Sequence, residues 1–266
     1  MVIAAALLLV ACGGRATSTN HRPAAKGASG RAWRVAILGD SIENEVAPRL
    51  TAELKASGVA EVFSRTFSGE SFCSAWANHG QRVADFKPDL LLIEGEGLAF
   101  SACSKQAPYP ADPMNQDAWQ AAFSTDLRDA IYELRQGGPV QVILDAGPVA
   151  KPVRPYQERA RATYRALAKR YPAFVTALDT QVTVLGPKGQ YVDELPCTKT
   201  EVKRGRCAHA PGASKGMIRV RAYDHRHFCL TPSRAAWPAP GCSTYSSGIE
   251  RYAKAQAEAV LAHLHR

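Results

Sequence analysis

The sequence predicts an α/β fold, with one central parallel sheet held between two layers of helices. Three observations carry that prediction. Short apolar runs alternate with segments of helical periodicity along most of the chain. The runs are apolar at consecutive positions, as strands covered on both faces must be. The first run ends in Gly39-Asp40-Ser41, a tight turn leading straight into a helix. Such alternation calls for parallel strands joined by helical crossovers. Right-handed crossovers make the flavodoxin-like strand order, a three-layer sandwich, the natural arrangement. A chain of 266 residues is long enough to bury one sizeable core of this kind.

The elements follow in order. Trp33–Leu38 (WRVAIL) is the first strand, and Val46, Leu50 and Leu54 recur at every fourth position to mark a helix stopping near Gly58. Val59–Phe67 suits a second strand, and Asp89–Ile93, introduced by Lys87-Pro88, a third. Gln116–Leu134 has helical spacing through Trp119, Phe123, Leu127 and Ile131, and stops at Gly137-Gly138-Pro139. Val140–Leu144 is a fourth strand, Arg154–Arg170 a basic helix and Phe174–Leu178 a fifth strand. From Gly186 to Ser214 the chain is polar and rich in turn residues, which predicts an extended loop. Met217–Ala222 is a short strand-like approach to Asp224-His225-Arg226-His227. Ile249, Ala253, Ala257, Val260 and Leu264 form the apolar stripe of a closing helix. There is no internal repeat.

The N-terminus reads differently. Met1–Val10 is wholly apolar, too short to span a bilayer as a helix but suited to the core of a secretory signal peptide. Leu9-Val10-Ala11-Cys12 resembles a bacterial lipobox, which implies a signal peptide over 1–11 and lipidation of Cys12. No Lys or Arg precedes the apolar run, a departure from the usual basic start, so plain secretion and a chance apolar start stand beside the lipoprotein reading. Residues 12–31 are rich in Ala, Gly, Ser and Thr and suit a flexible tether. The folded domain is expected over 32–266. The expected location is the cell envelope, at the outer face of the cytoplasmic membrane.

If Cys12 carries lipid, Cys73, Cys103, Cys197, Cys207, Cys229 and Cys242 remain, an even set that favours disulfides in an exported chain. Short loops close most readily, which points to Cys73–Cys103, Cys197–Cys207 and Cys229–Cys242. Buried thiols or structural zinc are the alternatives, and the lack of any CxxC pair argues against zinc. The net charge of +9 is unevenly spread: Lys151–His227 holds 16 Lys/Arg against 6 Asp/Glu. Such an excess can draw a domain toward an anionic envelope polymer or lipid headgroups, or it can be a solvated basic face. Nucleic acid is not an expected partner, because no helix-turn-helix, zinc-finger or RNP-like pattern accompanies the charge.

The chemistry is carried by two short stretches. Ser41 lies where a strand turns into a helix at the carboxyl edge of the sheet, so its hydroxyl is accessible and the opening N–H groups of the helix can face negative charge. A serine hydroxyl needs a base to take its proton. His227 supplies a candidate, with Asp224 three residues earlier to orient it. Each stretch alone is a weak signal. Together they gain force, since one follows the first strand and the other precedes the last helix.

Ile37-Leu38-Gly39-Asp40-Ser41-Ile42 resembles the first block of SGNH/GDSL hydrolases, and Asp224-His225-Arg226-His227 their last. The resemblance spans roughly 33–264. It implies the SGNH hydrolase fold, with Ser41 as nucleophile and Asp224 and His227 completing a triad. It also implies an oxyanion hole built from the N–H of Ser41 and of Gly69, in Phe67-Ser68-Gly69-Glu70. The third block departs from the pattern. Where the family has Gly-x-Asn-Asp, this chain has Glu94-Gly95-Glu96-Gly97-Leu98 and no asparagine. Either the N–H of Gly97 substitutes or the hole has two donors. Loss of one such donor typically costs about 3–4 kcal/mol of transition-state stabilisation. Glu94 and Glu96 are then either ligands for substrate hydroxyls or solvated loop carboxylates, the commoner state of such residues. Val220–Cys229 also resembles the SGNH domains fused to membrane acyltransferases of actinobacterial envelopes, domains linked to O-acylation of surface glycans.

His225 and His227 form a His-x-His pair with His209 on a nearby loop, but three histidines without an ordered carboxylate set are a poor metal site. No metal and no organic cofactor is expected. His79, His263 and His265 read as surface residues, and Asp145-Ala146-Gly147-Pro148, at the same sheet edge, either lines the pocket or, more simply, forms a loop turn. The expected activity is that of a serine esterase or acyltransferase acting on acyl esters of envelope carbohydrate. The alternative is a catalytically weak domain that binds envelope glycan in its cleft.

Overall fold

The structure, a computed structural model, describes residues 32–59, 61–67, 71–95, 116–152, 155–205, 207, 214–222, 225–228 and 246–265. Five strands form the central sheet: β1 (Arg34–Gly39), β2 (Glu61–Thr66), β3 (Leu90–Glu94), β4 (Gln141–Asp145) and β5 (Val175–Leu178). All pair in parallel, in the order β2-β1-β3-β4-β5. This is the flavodoxin-like order, which reverses between β1 and β3 and opens a crevice beyond the strands' carboxyl ends there.

The strands alternate which face they present, and each face has its own core. Val35, Ile37, Leu90, Leu92 and Ile143 point to one side, where α1 (Ser41–Ala56) and α6 (Ser246–Leu264) lie. There Ile42, Val46, Leu50 and Leu54 of α1 meet Tyr252, Ala253 and Val260 of α6. Ala36, Leu38, Leu91, Ile93, Val142 and Leu144 point to the other side, against α2 (Phe72–Phe86), α3 (Gln116–Gln136) and α4 (Pro155–Arg170). Each buried Leu or Ile removes enough apolar surface from water to contribute about 1.5–3 kcal/mol. The sheet is therefore fixed from both sides, as the predicted α/β sandwich requires.

Two regions differ from the sequence reading. Helix α2 was not expected between the second and third strands. It is N-capped by Ser71, whose hydroxyl accepts the Ser74 N–H, and it buries Phe72, Ala75 and Val83. The polar stretch from Gly186 is more than a loop. It contains β6 (Glu194–Pro196), which pairs antiparallel with β7 (Met217–Arg219), and the short helix α5 (Lys199–Lys203), with a 3-10 turn at Thr180–Val184 just ahead. A capping box between Thr198 and Glu201 starts α5.

Cys197 and Cys207 form a disulfide across that segment. Cys73 is also disulfide-bonded; Cys12, Cys103, Cys229 and Cys242 lie outside the described residues. So do the proposed signal peptide and tether. Among the described residues no helix is long and apolar enough to cross a membrane.

Candidate active site

The site begins with backbone geometry. β1 ends at Gly39, where any side chain would overlap that of Glu43 in the next turn, so only glycine lets the strand fold this sharply into α1. Asp40 is buried and caps the helix, its carboxylate accepting the Ile42 N–H at 2.8 Å. Ser41 is the first residue of α1, so its own N–H has no carbonyl four residues back. That places one free backbone donor and one hydroxyl at the positive end of a helix dipole.

The second half comes from the loop after β7. Ala222 N–H donates to the His227 carbonyl at 2.6 Å, and His225 N–H donates to the Ala222 carbonyl at 3.0 Å, which folds the loop back on itself. His225 adopts the left-handed conformation, φ 57°, that this reversal needs. Lys151 N–H, in the loop after β4, donates to the His225 carbonyl at 3.1 Å and ties the loop to the sheet's rim. Phe228 is buried, its ring 5.5 Å from that of Tyr252 in α6. From this loop His227 reaches across to Ser41, with Nε2 2.9 Å from Oγ. Both side chains are half-buried.

With Nε2 turned to the hydroxyl, Nδ1 is the atom left for an orienting carboxylate. Asp224, Gly69 and Gly97, the other expected participants, lie outside the described residues, as do Glu96 and His209. The two histidines of the His-x-His pair take different partners. His225 Nδ1 sits 3.0 Å from Asp193 Oδ1, which also accepts the Tyr191 hydroxyl at 2.6 Å. Partial burial pushes the Asp193 carboxyl up, but the hydrogen bonds from Tyr191 and His225 outweigh it, and the net shift is downward. Among the described residues no group of His, Cys, Asp or Glu is arranged to hold a metal ion.

Under the serine lies a buried set of polar groups. Glu94, expected either as a substrate ligand or as a solvated loop carboxylate, closes β3 and is fully buried beside Asp145, its register partner on β4. Asp145 is no simple turn residue either. It accepts hydrogen bonds from the Thr180 hydroxyl, the Tyr252 hydroxyl at 3.1 Å and Gln256 Nε2 at 3.1 Å. Glu43, fully buried on α1, accepts from the same Gln256 nitrogen at 3.0 Å. Burial pushes the Glu43 carboxyl well above its ordinary range, and the charges of Asp145 and Asp40 push it further, against a hydrogen bond from Gln256. Burial likewise raises Asp145, against its several donors, and raises Tyr252 strongly. Sequence reasoning missed Glu43, Glu45 and Gln256. The available signal was acidic residues beside the apolar stripe of α1.

Two other histidines, read from the sequence as surface residues, are partly exposed and also make specific contacts. His79 stacks on Phe67 with ring centroids 5.0 Å apart. His263 Nε2 lies 3.0 Å from the Thr176 hydroxyl on β5. His79 thus joins α2 to the end of β2 and His263 joins α6 to β5, which composition alone does not reveal.

Comparison with protein-family models gives no match, and comparison with curated protein sequences gives none. Solved structures do resemble the chain. A lipase/acylhydrolase from Enterococcus faecalis is 16% identical over 87% of this chain and 96% of that one, with a TM-score of 0.49. An acetylxylan esterase from Geobacillus stearothermophilus is 14% identical over 87% and 94%, with a TM-score of 0.48. A GDSL-like lipase from Bacteroides thetaiotaomicron is 10% identical over 87% and 87%, with a TM-score of 0.47. At such identities and scores the likeness carries no information about which residues of this chain react.

Proposed function

We propose that this protein is a serine-dependent acyl-ester hydrolase of the SGNH/GDSL type. The observation that carries the reading is the 2.9 Å contact between Ser41 Oγ and His227 Nε2 at the carboxyl rim of the sheet. A hydroxyl at that distance from a neutral imidazole nitrogen can lose its proton as it attacks. Ser41 Oγ bonds to the ester carbonyl carbon while His227 Nε2 takes the proton. The resulting oxyanion is faced by the Ser41 N–H at the start of α1, and by the N–H of Gly69. As the intermediate collapses, the ester C–O bond breaks and His227 returns the proton to the departing alcohol. Water, or a carbohydrate hydroxyl, then gives its proton to His227 and takes the acyl group, and Ser41 is regenerated. Asp224 orients the imidazole throughout.

The substrate we propose is an O-acylated carbohydrate of the cell envelope, the protein being exported and held at the membrane by a lipid on Cys12. The lipobox-like Leu9–Cys12 and the basic excess over Lys151–His227 support that placement. The test is turnover of 4-nitrophenyl acetate by purified protein beside Ser41→Ala. Loss of about 10³-fold or more in the variant is expected, with residual catalysis from binding groups alone. Equal, near-zero rates in both proteins would favour a glycan-binding role for the cleft instead. A strong preference for palmitoyl over acetyl esters would count against carbohydrate as substrate.

A further inference from the structure

We infer that Glu45 is a positioning residue that holds the His227 imidazole in register with Ser41. The inference rests on the hydrolase reading above. Glu45 follows Ser41 by one turn on α1 and is only 4% exposed. Its Oε2 accepts the Phe228 N–H at 2.8 Å, a buried contact between residues 183 positions apart. That N–H belongs to the peptide unit joining His227 to Phe228. The carbonyl of the same unit accepts the Ala222 N–H at 2.6 Å. Both ends of one rigid plane are therefore held, and the His227 α-carbon is one of its corners.

Beyond that plane, Phe228 is fixed as well, between the Tyr252 ring at 5.5 Å and the Arg221 guanidinium at 4.7 Å. The Glu45 bond differs from these other restraints in its origin. It starts on the helix that carries the nucleophile, so any shift of α1 carries the base with it. An oxygen acceptor suits the role, because a buried N–H left without one carries its full desolvation penalty. Geometry of this kind matters to rate: a displacement of about 1 Å between reacting groups can cost about 10²-fold.

The experiment reads the Ser41–His227 pair directly. A fluorophosphonate probe is attacked at phosphorus by Ser41 Oγ, fluoride leaves, and His227 receives the serine proton. Its labelling rate is measured for wild type, Ser41→Ala, Glu45→Gln and Glu45→Met, with kcat and KM for 4-nitrophenyl acetate alongside. Methionine keeps the length of the side chain with only a weak sulfur acceptor, and glutamine keeps an oxygen acceptor. Glu45→Met is expected to slow labelling and kcat by about 10–100-fold with KM within about 2-fold, and Glu45→Gln to stay within about 3-fold of wild type. Glu45→Met labelling at the wild-type rate, or Glu45→Gln as slow as Glu45→Met, overturns the positioning role alone. Wild type that labels no faster than Ser41→Ala overturns the hydrolase reading, and this inference with it. Should Glu45→Met fail to fold, Glu45→Asp, which keeps the carboxyl group but withdraws its oxygens by one methylene, is expected to show the same slowing, and a wild-type rate there overturns the role. In wild-type protein the Phe228 amide should exchange as slowly as the core amides of α1. Exchange at the rate of an open loop overturns the proposal whatever the variants do.

Discussion

Gln256 of α6 donates its side-chain nitrogen to two buried carboxylates at once, Glu43 of α1 at 3.0 Å and Asp145 of β4 at 3.1 Å. Both acids are raised, chiefly by burial. A raised carboxyl binds its proton more tightly in the fold than in the open chain. Its contribution to stability is therefore complete below the ordinary value, 4.5 for Glu43, and fades as pH rises through the folded value. Glu43→Gln removes that loss while keeping an acceptor for Gln256. Thermal melts of both proteins from pH 4 to 9 should diverge, the variant gaining on wild type as pH rises, by about 2–4 °C for each kcal/mol recovered. A constant gap across the range would contradict the buried proton.

Ser41 and His227 should behave as one unit. Removing either side chain breaks the same proton transfer, so the double variant Ser41→Ala/His227→Ala should be about as slow as the worse single variant. Additive losses in kcat/KM, measured on one acetyl ester, would mean that the two act separately.

Gly248 in the first turns of α6 is predicted to resist replacement. A β-carbon there would lie 2.8 Å from the Val220 carbonyl oxygen and 2.9 Å from a ring carbon of Phe228. Alanine gains at most about 1 kcal/mol in helix propensity. Overpacking at such contacts costs about 1–3 kcal/mol. The steric cost wins, and Gly248→Ala should melt lower than wild type. Because the shift falls on Phe228, ester turnover should drop as well, with a larger change in kcat than in KM.

The Cys197–Cys207 disulfide closes a short loop, with a sequence separation of 10. Chain-entropy reasoning for a loop of that length gives about 2–3 kcal/mol. Replacing both cysteines by serine should lower the denaturant midpoint accordingly and raise the m-value slightly, because the released denatured chain exposes more surface.

The strands were legible because each central one is covered on both faces and must be apolar at every position, as Leu90–Ile93 is. Helix α2 was obscured by its own packing. Gly80 interrupts the periodic pattern, yet it is there because the Trp76 indole occupies the space that a β-carbon would fill. β6 and α5 were hidden by their size: neither is long enough to show a period, and each depends on partners elsewhere, as Glu201 does on Arg251. At the site, Ser41 and His227 stood out by local pattern. Glu45 and Gln256 could not, because a buried polar side chain is explained only by the group it meets, and here that group comes from the other end of the chain.

Helix α6 is the last of the described elements, yet it lies against α1 and completes the core behind Ser41. A chain leaving the ribosome has Ser41 on its helix long before the imidazole or that final helix exists. The proposed reactivity is thereby withheld until the His227 loop and α6 have both been made, and a chain cut before them carries an inert hydroxyl instead of an unguarded one.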